Sequence, residues 1–469
     1  MQRRFAYAVL SVLAFGCGDD GASPTAPATS SADSSSVSSS STGAGGCELG
    51  DTYACYNGPP GTEGVGICRG GVDGCGDFGV LCAGEQLPQP ENCVTPEDED
   101  CDGESPPCTG DLLASFELDA TTAEVYGMAF DAEGALYATG YLEGSLAFAG
   151  DVLTSAGQGD LFAVKFAPDT TPAEGIRIGG VGHEGGLSLD ATPTTGFAIT
   201  GRADETVDLA TTVTGDPPYD TFIGLFASSM EIRWARGLTG GPTTYVREVS
   251  VNGSGSVVVV GYFEGTSIDL GAGTAVATGR DSYVARYAES TPALVWQKIV
   301  ATGGITQTEN VSLDEAGNVF FSLYTDQPAT LDGVAIPLGR SVVKLNDAGV
   351  AQWAAGTGAT TVLADEQGGA YYTSQYGLFH LDASGTETLF APGSAYLVTR
   401  DPFGNLVFLE DVAGVTHLIK LTPEGQGVFD RELDVHIVRA LDIDATGRIA
   451  ISGRADAAQL TSTIQWFAP

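Results

Sequence analysis

The residues best suited to chemistry form one short run, Asp98-Glu99-Asp100-Cys101-Asp102-Gly103. Carboxylates at alternate positions, Asp98, Asp100 and Asp102, can wrap oxygens around a calcium ion, and the glycine after them makes the tight turn that such a loop needs. A complete EF-hand loop also requires a bidentate carboxylate at its twelfth position, and here that position is Thr109. Two readings follow: a calcium site lacking its last loop ligand, or an acidic loop that holds no ion. Calcium is the one cofactor the sequence suggests.

Other reactive residue types are dispersed. His183, His380, His417 and His436 are far apart and never take a metal-ligand spacing such as His-Glu-x-x-His. The glycine clusters Gly179-Gly180-Val181-Gly182 and Gly303-Gly304 precede no helical pattern, so they do not form a phosphate cradle. No nucleophile, base and orienting group are spaced as a catalytic set, and the expectation is a protein that is not an enzyme.

The acidic run is positioned by cysteines. Cys47, Cys55, Cys68, Cys75, Cys82, Cys93, Cys101 and Cys108 fall between residues 47 and 110, and no cysteine follows. None of their spacings leaves two residues between cysteines and no histidine lies among them, which disfavours zinc. A small domain over 47–110 stapled by four disulfides is expected, with 105 connectivities open. The phrases Cys55-Tyr56-Asn57-Gly58-Pro59-Pro60 and Gly64-Val65-Gly66-Ile67-Cys68, with the acidic run ending at Gly103, resemble the cysteine-rich module of lipoproteins from gliding soil bacteria. That resemblance implies a metal-binding role for the acidic run and carries no activity with it.

The N-terminus has the marks of export. Arg3 and Arg4 precede an apolar run from Phe5 to Phe15, about eleven residues, too short to span a bilayer as a helix. Residues 1–16 read as a signal peptide. Leu13-Ala14-Phe15-Gly16-Cys17 resembles a bacterial lipobox, which implies cleavage before Cys17 and lipidation of its thiol; a plain secretory signal is the alternative. Residues 18–46 hold ten serines and no aromatic residue, a composition that cannot bury enough surface to order itself. With Cys17 they make a tether over 17–46, reaching on the order of 30 Å. The expected location is the cell envelope, at the outer membrane or cell surface, with the membrane contacted through the lipid.

Charge narrows the partners. The chain carries 20 basic and 60 acidic residues, a net charge of −40, which repels phosphate backbones and excludes nucleic acid as a natural partner.

Residues 111–469 are a repeat array. A polar cap, a glycine-containing turn and a new apolar strand recur at Asp131–Gly134, Asn252–Gly255, Asp314–Gly317, Asp365–Gly368, Asp401–Gly404 and Asp444–Gly447, with a longer version from Asp190 to Gly196. A second element, exemplified by Asp160-Leu161-Phe162-Ala163-Val164, Asp220-Thr221-Phe222-Ile223-Gly224 and Asp281-Ser282-Tyr283-Val284-Ala285, supplies a third strand per repeat. Strands ending in Trp234, Trp296 and Trp353 supply a fourth. The last repeat has no fourth strand of its own, and the apolar stretch 112–118 is the one expected to complete it. The predicted fold is all-β: a β-propeller of about seven four-stranded blades, six or eight remaining open, closed by its N-terminal strand and preceded by the disulfide-rich domain. It resembles the seven-repeat propellers of exported bacterial proteins, whose blades contain phrases like Gly317-Asn318-Val319-Phe320-Phe321; that resemblance implies a fold and no activity.

Three functions fit such a chain: a binding or adhesion module for an envelope protein or polysaccharide, a calcium-dependent structural protein of the envelope, or an exported hydrolase or lyase on a propeller scaffold. The first agrees best with a tethered propeller that offers loops and a central channel.

Overall fold

The computed structural model describes residues 52–74 and 82–469, apart from 193–195, 204–206, 210, 214–219, 239–242, 266, 436 and 456–457. Cys17, Cys47, Cys75 and His436 lie outside the described residues.

Hairpin chemistry builds the blades. At Asp131, Asp314, Asp365, Asp401 and Asp444 the side-chain Oδ1 accepts the N–H of the residue four positions on, closing the turn between first and second strands. A glycine next to that residue takes a positive φ, from 81° at Gly134 to 87° at Gly404, which an L side chain would strain. The second blade departs from expectation. Its cap is Thr192, whose hydroxyl donates to the Gly196 carbonyl, while Asp190 sits on the strand before it.

The result is seven four-stranded antiparallel sheets. Their first strands are Thr122–Phe130, Glu184–Thr192, Thr243–Val251, Thr306–Leu313, Thr361–Ala364, Ala395–Arg400 and Ile437–Ile443. The seventh blade takes its outer strand from the opposite end of the chain: Leu112–Glu117 pairs antiparallel with Thr463–Phe467. No helix occurs among the described residues.

Strand alternation explains how the blades cohere, because successive side chains point to opposite faces. In the second strand of the third blade, Val257 and Val259 join the core shared with the second blade, whereas Val258 and Val260 join the core shared with the fourth. All four are fully buried, and each contributes roughly 1.5–3 kcal/mol of transfer free energy. Every neighbouring pair of blades has such a core, including the closing pair, where Phe166 meets Phe116 and Trp466 edge-on.

Tryptophans tie the rim. Trp234, Trp296 and Trp353 lie on the fourth strands of blades two, three and four, and each indole donates to a turn carbonyl of the next blade: Glu289 at 2.7 Å, Asp347 at 3.0 Å and Ala383 at 3.0 Å.

Among the described residues three disulfides hold the cysteine-rich segment, Cys55–Cys82, Cys68–Cys101 and Cys93–Cys108. Such bonds belong to an oxidising, extracytoplasmic compartment. The segment rests on the turn end of the sixth and seventh blades. Thr109 N–H donates to the Pro469 carbonyl at 2.9 Å, and Arg431 Nε donates to the Thr109 carbonyl at 2.8 Å. Beneath it, Lys420 and Asp401 form an ion pair at 3.2 Å with both side chains about 1% exposed, and Lys420 Nζ lies 3.6 Å from Cys93 Sγ.

Candidate metal centre and channel

The acidic loop is fixed by its neighbours before any ion enters. The Cys68–Cys101 disulfide pins it to the Gly64–Cys68 loop, where Ile67 N–H donates to the Asp98 carbonyl at 3.0 Å. That approach requires glycine at 66, since a Cβ there would fall 2.0 Å from the Asp98 oxygen. Asp98 Oδ2 accepts the Gly103 N–H at 2.9 Å, and Asp100 Oδ1 accepts the Asp102 N–H at 3.1 Å. The loop therefore curls on itself, held by the Asp98 and Asp100 carboxylates.

One oxygen each from Glu91, Asp98 and Asp100 lie within 4.8 Å of one another, a group able to hold a metal ion. Glu91 Oε2 accepts the N–H groups of Glu99 at 3.0 Å and Asp100 at 3.4 Å, and this aims its other oxygen at the loop. Glu91 Oε1 and Asp98 Oδ1 are buried and meet no donor among the described residues. Burial pushes the Asp100 carboxyl up, and the Asp102 and Asp98 charges add to it. A cation would relieve both the orphaned acceptors and the mutual repulsion. With oxygen donors only and the neighbouring thiols oxidised, the set suits a hard divalent ion over zinc or copper.

Sequence spacing had named Asp98, Asp100 and Asp102. The structure brings the first two together and places Asp102 outside the group, exposed, its Oδ1 accepting the Glu104 N–H. Glu91 takes its place. A glutamate upstream of the loop thus joins the group, where spacing within the loop could not reveal it.

The second candidate is the central channel, a cavity of about 240 Å³ lined by the first strands of all seven blades. First strands of neighbouring blades do not pair, so their channel-side N–H groups need other acceptors. Side chains provide them in a relay around the axis. Ser188 accepts from Val249, Asp190 from Val251, Asn310 from Val362, Ser312 from Ala364 and Asp442 from Phe130, each donor lying on the next blade.

Three of the channel groups are acids. Burial raises Asp190 to about 7, Glu248 to about 7 and Asp442 to about 6; the Asp442 charge adds to the first and the Asp190 charge to the second.

Above them the first strands are bulged. In six blades a register shift in the pairing of first and second strands leaves one extra residue: Tyr126, Leu187, Arg247, Glu309, Tyr396 and Arg439. The fifth blade, with the shortest first strand at four residues, has none. A bulge re-aims side chains out of the pleat.

The histidines do not converge. His183 stacks on Tyr141, His380 Nε2 pairs with Asp365 at 2.8 Å, and His417 Nδ1 pairs with Asp430 at 2.7 Å, each in a different blade. No catalytic grouping of them occurs among the described residues.

No family model matches the chain, and no curated protein matches it. Several solved propellers are similar to it at low identity. The "Dos1 propeller" is 9% identical over 76% of this chain and 94% of that one, with a TM-score of 0.42. The propeller domain of the Trilobed protease from Pyrococcus furiosus is 9% identical over 74% and 94%, at 0.43. The WD40 propeller domain of Doa1 is 10% identical over 77% and 97%, at 0.42.

Proposed function

We propose that this chain is an exported lipoprotein, lipidated at Cys17 and tethered through residues 18–46, that presents its propeller as a binding or adhesion module for an envelope protein or polysaccharide. The observation that carries this reading is the sorting of surfaces between the two ends of the propeller. The cysteine-rich segment occupies the end formed by the turns between first and second and between third and fourth strands. Loops at the other end, joining second to third strands and each blade to the next, display Val181, Val276, Ile305, Leu338, Tyr376 and Leu460 in exposed positions. An end free of the cysteine-rich segment and dotted with apolar side chains suits a partner docking from outside.

Calcium is the proposed occupant of the Glu91, Asp98 and Asp100 group, which favours a structural role for the ion in fixing the segment next to the tether. The test is affinity capture of envelope proteins and polysaccharides by the full chain, with and without chelator, alongside mass spectrometry of the membrane fraction from wild type and Cys17→Ser. A specific partner and a diacylglyceryl mass lost in the variant support the reading. No retained partner, or an unchanged membrane-bound protein after Cys17→Ser, overturns the corresponding half.

A further inference from the structure

We infer that the bulged mouth of the channel is a binding site for an acidic sugar, its carboxylate held by Arg247 and Arg439 and its ring lying against Tyr126 and Tyr396. This rests on the binding-module reading and names the ligand class for it.

The argument begins with charge. Only 20 residues of the whole chain are basic, against 60 acidic, and around this mouth most arginines are already neutralised. Arg280 pairs with Glu264, Arg340 with Glu309 and Arg454 with Glu124. Arg247 and Arg439 differ: both are exposed, and neither forms an ion pair with a described residue. Both are bulge residues at the same register, on the third and seventh blades. Counting round the ring, those blades stand three steps apart, so the two bulges lie nearly opposite one another across the axis. In a molecule of net charge −40, two exposed arginines without a described ion-pair partner, at matching bulges round one opening and with Arg439 lining the cavity itself, make a local anion site.

The flanks are aromatic. Tyr126 and Tyr396 occupy the bulges of the two blades beside the seventh, and the Arg439 guanidinium lies 5.9 Å from the Tyr126 ring centroid. Rings of this kind offer an apolar face with a polar tip, which matches the apolar face and hydroxyl edge of a pyranose.

The floor selects the anion. Ser188, Ser250, Thr399 and the carboxylates Asp190 and Asp442 line the cavity below the arginines. A free phosphate or sulfate ion could accept from the hydroxyls but would meet the carboxylates with no hydrogens to give them. A sugar carrying one carboxylate brings hydroxyl donors for the floor and a single negative charge for the arginines. The cavity, about 240 Å³, is below the range of sites that enclose drug-sized ligands; it suits one sugar ring entering from the mouth.

Calorimetry of the full chain with an oligoglucuronate and with its carboxyl-reduced, neutral counterpart tests this. Wild type should bind the acidic oligosaccharide, and the neutral one more weakly by roughly ten- to hundredfold, the worth of a charge-assisted contact. Arg247→Gln and Arg439→Gln should each weaken acidic binding by roughly tenfold or more. Arg69→Gln, which removes the same charge from the cysteine-rich segment, should leave it unchanged. Equal binding of both oligosaccharides, no binding of either, or equal losses in all three variants overturns the inference. If a protein or neutral polysaccharide is still captured in the affinity experiment, the binding-module reading survives that failure; if nothing is captured, both fall.

Discussion

Asp190, on the first strand of the second blade, accepts the main-chain N–H of Val251 on the first strand of the third at 2.8 Å. It is one link of the relay that joins unpaired strands around the axis. Replacing it with alanine strands a buried donor, at a cost of about 1–3 kcal/mol, whereas Asp190→Asn retains an acceptor and should lose less. Denaturant unfolding of the two variants beside wild type measures the difference.

The same acids set an unusual pH profile. Asp190 and Glu248 titrate near 7 and Asp442 near 6 in the fold, against about 4 for unfolded carboxylates. The native state therefore binds more protons than the unfolded state between those values, and stability falls as pH rises from about 4 to about 7. Thermal melting should show a higher Tm at pH 5 than at pH 8. Asp190→Asn combined with Asp442→Asn should flatten that slope, and an unchanged slope would show that these acids are not its source.

At the candidate metal centre the decisive comparison is between two acids near one loop. Glu91→Gln should abolish any calcium-induced rise in Tm, and Asp98→Asn should do the same. Asp102→Asn should leave most of it, because Asp102 stands outside the group. Isothermal titration of the three variants with calcium gives the order directly; equal losses at 91 and 102 would restore the arrangement expected from loop spacing alone.

The buried pair beneath the cysteine-rich segment makes a sharper stability prediction. Asp401→Ala leaves Lys420 unpaired where only about 1% of its side chain reaches solvent, and breaking such a pair costs about 3–5 kcal/mol. Burial already pulls the Lys420 amine below its usual value, so the variant should recover part of the loss at high pH, where that amine is neutral. Chemical denaturation at pH 7 and pH 10 reads both effects.

At the rim, Trp234 is nearly buried and its indole donates to Glu289. Trp234→Phe should cost about 1 kcal/mol for the lost hydrogen bond, and Trp234→Ala about 3–5 kcal/mol for the cavity. Equilibrium unfolding in guanidinium separates the two.

What was legible in the sequence was local. Asp131 to Gly134 and its counterparts announce themselves because cap and glycine are neighbours in the chain, and they fixed the strand pairs. Repeats of the Asp160–Val164 kind fixed the third strands. Asp190 misled for the same reason: it stands near a turn, yet Thr192 closes that turn and Asp190 serves the next blade, some sixty residues away. Glu91 escaped notice because its partners lie beyond the loop that defines the motif. Arg247 and Arg439 had no signature at all, since a bulge is a property of pairing between two strands and leaves no mark on either one. The blade number followed only once each first strand had its partner.

The strand Leu112–Glu117 completes a sheet whose other members end at Phe467. Sequence separation between these partners spans the entire propeller, so ring closure is the contact with the greatest loop entropy to overcome. During synthesis, the first strand of the propeller to appear must wait for the last before it is paired. The half-made ring would be the aggregation-prone species, and any factor that shields the 112–117 edge until the chain is complete would set the yield of folded protein.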